Sequence, residues 1–565
     1  MYEQPRRGLE TRLVAVGILL VVAWGAVGYR LTIVQGAQAE EFADRGRSQW
    51  LSSQTLAADR GTIFDADGRE LAVTVDAVTV VANPTEMPDR GEVAWRIAPL
   101  VGRDPGELYE AFQGDTHFVY VARQIDEAIA EPIRQANLPG IHFLVEPKRV
   151  YPLGTLAAHV VGFVQTDENR GLEGIELQYD EALAGTPGEL LVERDPNGRV
   201  IPLGSYDVVP AEPGSDLVLT IVSEIQYEAE QALADAMERT GAVAGSVLVV
   251  DVETGEILAM VNAPGFDPND RATLVGDALR NRAVTDVFEP GSTQKIVTIA
   301  AAIDSGSVTA ATSFDIPERI ERHDTTFEDS IDMLGPHTVT EIVTNSSNLG
   351  TILIGERIGA TTLHRYLDAF GAGRATGVDY PGEPSGLLRP PEEWCATTCL
   401  AGTSIGYRVS VTPLQMATVY AAIANGGVWV QPHLVREVID GDGASRPTVP
   451  AVRRVVSSET AHILLAMLEA VVDRGTGTLA AVPGHRVGGK TGTTERYDFE
   501  LQRYSDTDVV ASFIGVAPID NPRVVIAVVL DSPTNYASGG KGAAPVFSRV
   551  ALATLNQLGV PPNAP

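Results

Sequence analysis

Cysteine and lysine are scarce in this chain, and both shortages narrow the chemistry open to it. The 565 residues include two cysteines, Cys395 and Cys399. With nine histidines and no cluster of histidine, cysteine and carboxylate residues at ligand spacing, we predict no metal site and no cofactor. The close cysteine pair fits a local disulfide in an oxidising compartment; two free thiols or a redox pair are the alternatives.

Positive charge is also scarce, since the formal net charge is −32. Such a chain repels phosphate backbones and anionic headgroups, so we expect no nucleic acid partner and no docking of the folded body on anionic lipid. Arginine supplies most of the basic residues, and lysine occurs only as Lys148, Lys295, Lys490 and Lys541. Because a lysine can lose its proton in a protein and an arginine cannot, these positions are candidate bases. The alternative is that codon bias favours arginine and that the positions of the four lysines are arbitrary.

One long apolar run lies near the N-terminus. Residues 13–29 carry no charge, and the run continues after Arg30 to residue 34. This length is enough for a membrane span when flanking arginines reach the interface. Arginines before the run predict a cytoplasmic tail over 1–12, an anchor over 13–34 and an extracytoplasmic body. Because Ala37-Gln38-Ala39 resembles a cleavage site, a removed signal peptide is the alternative.

A breaker-rich stretch at 210–215 predicts a boundary between two further domains. Residues 35–215 alternate short β-like runs with polar turns and show no evident nucleophile. Residues 216–565 contain strands joined by turns rather than by crossover helices, which predicts an antiparallel sheet in a mixed α/β domain. The elements predicted there are a strand at 217–221, a helix at 225–239, a hairpin of 244–251 and 256–261, a second hairpin of 509–516 and 523–530, and a helix at 545–558.

The first candidate site is the sequence Pro290-Gly291-Ser292, followed by Lys295 and an apolar run at helical spacing. The breaker pair before the run predicts that Ser292 lies at a helix N-terminus. A lysine three residues on shares the helix face and can reach the serine hydroxyl, and a neutral lysine can take its proton. The same spacing recurs at Ser538 and Lys541 in a glycine-rich loop with no helix, which we interpret as structural.

Two further motifs have weak signals of their own. Ser346-Ser347-Asn348 follows a helix-compatible stretch at 338–344, and it fits either a proton relay with an amide-binding group or a helix cap. The stretch 488–494 places one lysine and hydroxyl side chains on a glycine-containing strand, where a substrate backbone can pair and a carboxylate can bind. A phosphate loop is the alternative, but the spacing differs from that motif.

Taken together, Ser-x-x-Lys at 292, Ser-x-Asn at 346 and Lys-Thr-Gly at 490 resemble the signature set of the penicillin-recognising acyl-serine transferases. The stretches GTSIGYRVSVTPLQ and GGKGAAPVF are similar to class B penicillin-binding proteins, and RGTIFDADGRELA, RVYPLG and GLEGIE are similar to the pedestal domain of that class. The resemblance implies a penicillin-binding transpeptidase fold over 216–565, an elongated β-rich non-catalytic pedestal of dimerisation type over 35–215, and one transmembrane helix. The FEPGST form is most similar to the cell-division branch, with the elongation branch as the alternative.

The resemblance also implies a mechanism on the D-Ala-D-Ala end of a peptidoglycan stem peptide. Ser292 attacks, and Lys295 is the base, held neutral by burial and by a cationic Lys490. Ser346 relays a proton, and Asn348 orients the donor. The terminal carboxylate of the substrate is bound by the strand residues Lys490, Thr491, Gly492 and Thr493. The backbone N–H groups of Ser292 and Thr493 form the oxyanion hole.

Two departures from the family pattern carry expectations. Arg408 stands where glycine is usual and is expected to place a bulky charge near the cleft wall. Ala66 follows Asp65 where arginine is common, which predicts a lost pedestal contact. The resemblance further implies that β-lactams are trapped at Ser292. It also implies that a multi-spanning membrane protein polymerises the glycan and that other division proteins are partners. The alternatives are a D,D-carboxypeptidase, a β-lactamase, and a non-enzymatic scaffold or sensor.

Overall fold

The structure is a computed structural model that describes residues 7–42, 51–114, 116–165, 169–193, 206–323, 325–498 and 503–564. Half of the predicted tail, residues 1–6, therefore lies outside the described residues. The chain forms two compact units. One comprises Met1–Asp59 and Gly185–Pro213, and the other comprises Arg60–Ala184 and Gly214–Pro565.

The smaller unit contains the predicted anchor. A helix over Arg7–Thr32 continues as a short π-helical turn over Ile33–Ala37. The stretch Glu10–Gly36 is long and apolar enough to cross a membrane, and its side chains are exposed. The unit also contains a three-stranded antiparallel sheet of Leu51–Leu56, Gly188–Glu193 and Tyr206–Val209, in that order.

Within the larger unit, a seven-stranded sheet joins the region before residue 184 to the region after 214. Its strands are Ile63–Phe64, Glu70–Ala82, Val119–Ile125, Ile141–Val150, Asp216–Leu219, Val435–Ile439 and Ser445–Pro447. Ile63–Phe64 pairs in parallel with Asp216–Leu219 and antiparallel with Glu70–Ala82. Helices over Arg90–Val101, Pro105–Ala111 and Glu127–Ala136 cover the outer strands.

The second sheet is five-stranded and wholly antiparallel, as the sequence predicted. Its order is Ile257–Ala263, Ala244–Asp251, Val524–Asp531, Arg503–Ala517 and Gly488–Asp498. Both predicted hairpins are present. Successive side chains of Ala244–Asp251 alternate between two apolar cores, with Val247 and Val249 in one and Leu248 and Val250 in the other. The sheet is therefore buried on both faces, which explains its near-continuous apolar strands.

Helices form the layers on either side of this sheet. Ser223–Thr240 and Ala544–Gln557 pack on one face, and both match helices predicted from the sequence. The opposite layer contains Lys295–Asp304, Val339–Thr344, Asn348–Ile358, Ala360–Phe370, Cys399–Ser404, Pro413–Ala424 and Ser458–Arg474. Short helices lie at Ala158–Val161, Gly174–Gln178, Asp180–Leu183 and Arg282–Thr285. The chain also forms two-stranded antiparallel pairs: Phe163–Gln165 with Arg170–Glu173, Ser313–Ile316 with Gly335–Thr338, Ile320–Arg322 with Thr325–Phe327, and Val428–Val430 with Val452–Arg454.

A buried ion cluster joins the three motifs that resembled the pedestal. Glu176 accepts hydrogen bonds from Arg60 Nε at 2.6 Å and from Arg149 Nε at 2.7 Å, and Arg60 also reaches Asp180 at 2.8 Å. The side chains of Glu176, Arg60 and Arg149 are at most 1% exposed. Glu176 therefore pairs with two buried guanidinium groups, and Asp180 supplies a second negative charge to Arg60.

The contact expected to be lost at Ala66 is replaced from elsewhere in the chain. The Ala66 carbonyl accepts a hydrogen bond from Arg436 Nη1 at 3.3 Å, and Arg436 is held by a bidentate pair with Glu256. Asp65 accepts backbone N–H groups of its own turn and the Ser223 hydroxyl. An arginine from the region after the boundary therefore contacts the backbone of this turn beside Ala66.

Candidate active site

Ser292 lies on a 3₁₀ turn, Gly291–Thr293, directly before the helix Lys295–Asp304, as predicted. Gly291 has φ +52°, and a Cβ atom there would lie 2.3 Å from Thr494 Oγ1. Glycine is therefore required where this turn crosses the strand Gly488–Asp498. The turn is also held by buried Tyr420, whose hydroxyl donates to the Thr293 carbonyl at 2.7 Å. Ser292 faces an open cleft of about 660 Å³.

Two lysines and one serine meet beside this cleft. Lys295 Nζ donates to the Ser346 carbonyl and to Asn348 Oδ1, both at 2.6 Å, and lies 3.4 Å from Ser346 Oγ. Lys490 Nζ donates to the same Ser346 Oγ at 2.8 Å and to the Thr491 carbonyl at 3.1 Å. The Ser346 hydroxyl thus lies between the two amines. The structure brings together four of the predicted catalytic residues, which come from three separate parts of the sequence.

The predicted hydrogen bond between Ser292 and Lys295 is not formed. Within the described ranges, the Ser292 side chain has no hydrogen-bond partner. A neutral amine has two N–H donors and one lone pair. In its neutral form Lys295 uses both N–H groups on the Ser346 carbonyl and Asn348 Oδ1. Its lone pair therefore remains to accept the proton of the Ser292 hydroxyl. In sites of this kind catalytic hydrogen bonds often tighten only when substrate binds.

Burial sets the protonation of the lysine pair. It lowers the pKa of Lys295 to about 7, opposed by the negative charge of Asp329. Burial and repulsion from Lys295 lower the pKa of Lys490 well below its usual value. The resemblance implied a neutral Lys295, favoured by burial and by a nearby cationic Lys490. Burial is the main cause of the lowered Lys295 pKa, and repulsion between the two amines disfavours a charge on both at once.

The strand Gly488–Asp498 forms one wall of the cleft. Among the described strands it is the last of its sheet, so its outer edge can pair with an extended chain. Side chains alternate along a strand, and Thr491, Thr493 and Glu495 line the cleft. Gly492 instead faces the Ser292 turn, where a Cβ atom would lie 2.9 Å from Thr293 Cγ2 and 2.4 Å from Ser512 Oγ. Its lack of a side chain allows the turn and the strand to pack closely.

Several residues at the site were not found from the sequence. Asp329 accepts the Ser347 hydroxyl at 2.6 Å and the backbone N–H groups of Asn348 and Leu349, so it fixes the start of the helix Asn348–Ile358. Thr476 pairs with Thr491 through their hydroxyls at 2.7 Å. Ser538 and Lys541, interpreted as structural, also line the cleft. These residues lie in loops and turns, where the sequence has no periodic pattern.

Arg408 does not place its charge on the cleft wall, which corrects the expectation from the sequence. Its neighbour Tyr407 lines the cleft, whereas Arg408 Nη2 donates to Thr398 Oγ1 at 3.2 Å. Arg408 has φ +64°, and its backbone N–H donates to Glu289 Oε1 at 2.6 Å. The side chain therefore points toward the loop in which Cys395 and Cys399 form a disulfide with a Cα separation of 5.2 Å.

Comparison with known proteins agrees with this arrangement. The penicillin-binding protein transpeptidase domain family matches residues 245–552, and the penicillin-binding protein dimerisation domain family matches residues 55–219. The chain belongs to the class B penicillin-binding proteins. The fold and the family predicted from the sequence are thereby confirmed.

Individual relatives match along nearly the whole chain. The penicillin-binding protein PbpB of Mycolicibacterium smegmatis is 35% identical over 97% of this chain and 90% of its own length. The peptidoglycan D,D-transpeptidase FtsI of Escherichia coli is 33% identical over 95% of this chain and 90% of its own. The crystal structure of penicillin-binding protein 3 from Mycobacterium tuberculosis complexed with aztreonam is 32% identical, with a TM-score of 0.72, and covers 91% of this chain and 99% of that one.

Proposed function

We propose that this protein is a peptidoglycan D,D-transpeptidase that crosslinks stem peptides through an acyl-Ser292 intermediate during septal wall synthesis. The observation that carries the proposal is the pair of buried lysines, Lys295 and Lys490, joined by Ser346 beside Ser292 in an open cleft. Similarity to a relative named as a peptidoglycan D,D-transpeptidase FtsI supports the substrate class and the septal role. β-Lactams are expected to acylate the same serine.

In the first half of the reaction, Ser292 Oγ attacks the carbonyl of the penultimate D-Ala and its proton passes to neutral Lys295. The backbone N–H groups of Ser292 and Thr493 stabilise the oxyanion. The donor carboxylate binds Lys490, Thr491 and Thr493. The proton then leaves Lys295 through the Ser346 hydroxyl to the departing D-Ala amine, while Asn348 holds the donor amide.

Binding of the donor carboxylate favours transfer of a proton from Lys295 to Lys490. An anion beside Lys490 raises the affinity of that amine for a proton. The Ser346 hydroxyl lies within 3.4 Å of Lys295 Nζ and 2.8 Å of Lys490 Nζ, so it can accept from one amine as it donates to the other. Substrate binding would therefore produce the cationic Lys490 and neutral Lys295 that the chemistry needs.

In the second half, an amine from a neighbouring stem peptide attacks the acyl-Ser292 carbonyl, and Ser292 recovers its proton as the crosslink forms. We further propose that the helix Glu10–Gly36 is an uncleaved anchor with the N-terminus in the cytoplasm and the catalytic domain outside. The disulfide at Cys395 fits an oxidising exterior. The family matches of this chain are to a transpeptidase domain and a dimerisation domain, and we propose a multi-spanning membrane glycan polymerase and other division proteins as its partners.

The proposal is tested by intact mass of the detergent-solubilised full chain after exposure to benzylpenicillin. We expect a stable adduct of one drug molecule, and peptide mapping should place it on Ser292. An adduct on another residue, no adduct, or rapid hydrolysis of the drug without an adduct would each contradict the proposal. For the septal role, depletion in the native cell should give filaments; round cells would instead indicate the elongation branch.

The rate of acylation should depend on pH through Lys295. The base must be neutral, and burial lowers the pKa of Lys295 to about 7. The neutral fraction therefore rises as pH rises, so the second-order rate constant for benzylpenicillin should increase about tenfold per unit below pH 7 and level off above it. Stopped-flow or quenched mass spectrometry from pH 5 to 9 measures this profile. A profile flat through this range would exclude Lys295 as the base.

A further inference from the structure

Glu495 is a cleft-lining carboxylate that the proposed mechanism does not use. It stands on the strand Gly488–Asp498, two residues after Thr493, and its side chain is exposed. Among the residues that the structure describes, no cation pairs with it. The adjacent Arg496 binds Asp531 at 2.9 Å, and Arg408 is directed to Thr398. The negative charge of Glu495 is therefore free to act on a molecule in the cleft.

The register of the strand fixes which part of a donor peptide would meet Glu495. If the donor carboxylate binds at Lys490 and Thr491 and the scissile carbonyl lies at Thr493, the rest of the donor extends toward residue 495. Two residues of extended chain span about 7 Å, and side chains two apart share a face. A donor paired along this open edge would thus place a side chain close to Glu495, on the N-terminal side of the scissile bond.

Tyr407 completes the wall around this carboxylate. It lines the cleft, and its hydroxyl donates to Glu495 Oε2 at 3.3 Å. Its ring packs edge to face on Tyr504 with centroids 5.4 Å apart, and the Tyr504 hydroxyl donates to Glu289 Oε2 at 2.9 Å. An aromatic ring beside a carboxylate is the combination that binds ammonium groups, because both present negative potential.

We infer that Glu495 and Tyr407 form a charge-selective subsite for a donor peptide that carries an ammonium group upstream of the scissile bond. This inference rests on the proposed transpeptidase function and specifies its donor. The only other charged side chain that lines the described part of the cleft is that of Lys541. Its loop lies near the opposite end, where Gly540 approaches Thr476 and Thr491, the end assigned to the donor carboxylate.

Three penicillins that differ in one substituent on the same side-chain carbon test the inference. Ampicillin carries an ammonium there, carbenicillin a carboxylate, and benzylpenicillin neither. Second-order acylation constants are measured by mass spectrometry on the full chain and on Glu495→Gln. For wild type we expect ampicillin to exceed carbenicillin by roughly tenfold, and for Glu495→Gln we expect most of this ratio to be lost. Glu495→Lys should reverse the preference.

The matched control is Glu253→Gln, which removes one negative charge from an exposed turn away from the cleft. It should keep the wild-type ratio, because the ratio depends on the local carboxylate and not on the net charge. Equal ratios in wild type and Glu495→Gln, with benzylpenicillin still acylating wild type, would overturn the subsite and leave the proposed function standing. Failure of benzylpenicillin to acylate wild type would instead count against the proposed function itself.

Discussion

Replacing Lys295 with arginine should lower the rate of Ser292 acylation by about a thousandfold, the usual contribution of a general base. Arginine keeps N–H donors at this position, but it stays protonated and cannot supply the lone pair that accepts the serine proton. The Ser346 carbonyl and Asn348 Oδ1, which accept from Lys295 at 2.6 Å, would still receive N–H donors. The expected loss is therefore in chemistry, and it is measured as the acylation constant for benzylpenicillin at pH 8.

The scarcity of lysine provides a matched control for this variant. Lys148→Arg makes the same chemical change in the region before the boundary, where Lys148 pairs with Asp126 at 3.2 Å. It should acylate at the wild-type rate. A thermal melt separates loss of the base from loss of the fold, since Lys295 is buried and a larger side chain must be accommodated. A folded Lys295→Arg protein that acylates normally would refute the assignment of the base.

Replacing Glu176 with glutamine should lower the free energy of unfolding by about 3–5 kcal/mol, the usual cost of breaking a buried ion pair. Glutamine has nearly the same shape, so the effect comes from the lost charge. Arg60 and Arg149 would remain buried, at no more than 1% side-chain exposure, without the carboxylate that pairs with both, and Arg60 alone would keep Asp180. Urea unfolding of the detergent-solubilised chain measures the change.

Glu92→Gln is the comparison for this measurement. Glu92 and Arg96 form an exposed pair one helical turn apart, with the charged atoms separated by 3.5 Å. Exposed pairs of this kind contribute at most about 1 kcal/mol, so the unfolding midpoint should hardly move. If both glutamine variants unfolded at the same urea concentration, the buried cluster would not have the stabilising role inferred from its geometry.

Local sequence patterns predicted the elements whose structure depends on residues close together in the sequence. The Pro290-Gly291 pair before an apolar run placed Ser292 at the start of a helix, and turn residues between apolar strands predicted both hairpins of the second sheet. Such features depend on neighbouring residues. The seven-stranded sheet was not foreseen, because its parallel pairing joins Ile63 to Leu217 across more than a hundred residues.

The site was predicted through its motifs and missed where it depends on distant contacts. The three motifs meet as expected, although spacing alone could not reveal that Ser346 would lie between two amines. Asp329 and Thr476 belong to loops with no motif. The direction of Arg408 follows from a left-handed backbone conformation, which the sequence GYR did not disclose. The lowering of both lysine pKa values depends mainly on burial and could not be read from residue types.

The shared sheet has a practical consequence for work with the catalytic region. Although the two family matches separate at about residue 219, the strand Asp216–Leu219 takes its parallel partner, Ile63–Phe64, from the N-terminal side. A truncated protein that began at residue 216 would leave one edge of Asp216–Leu219 without that partner. Unpaired strand edges recruit other chains. Self-association of such a fragment would then reflect the cut, and not the assembly of the intact protein in its membrane.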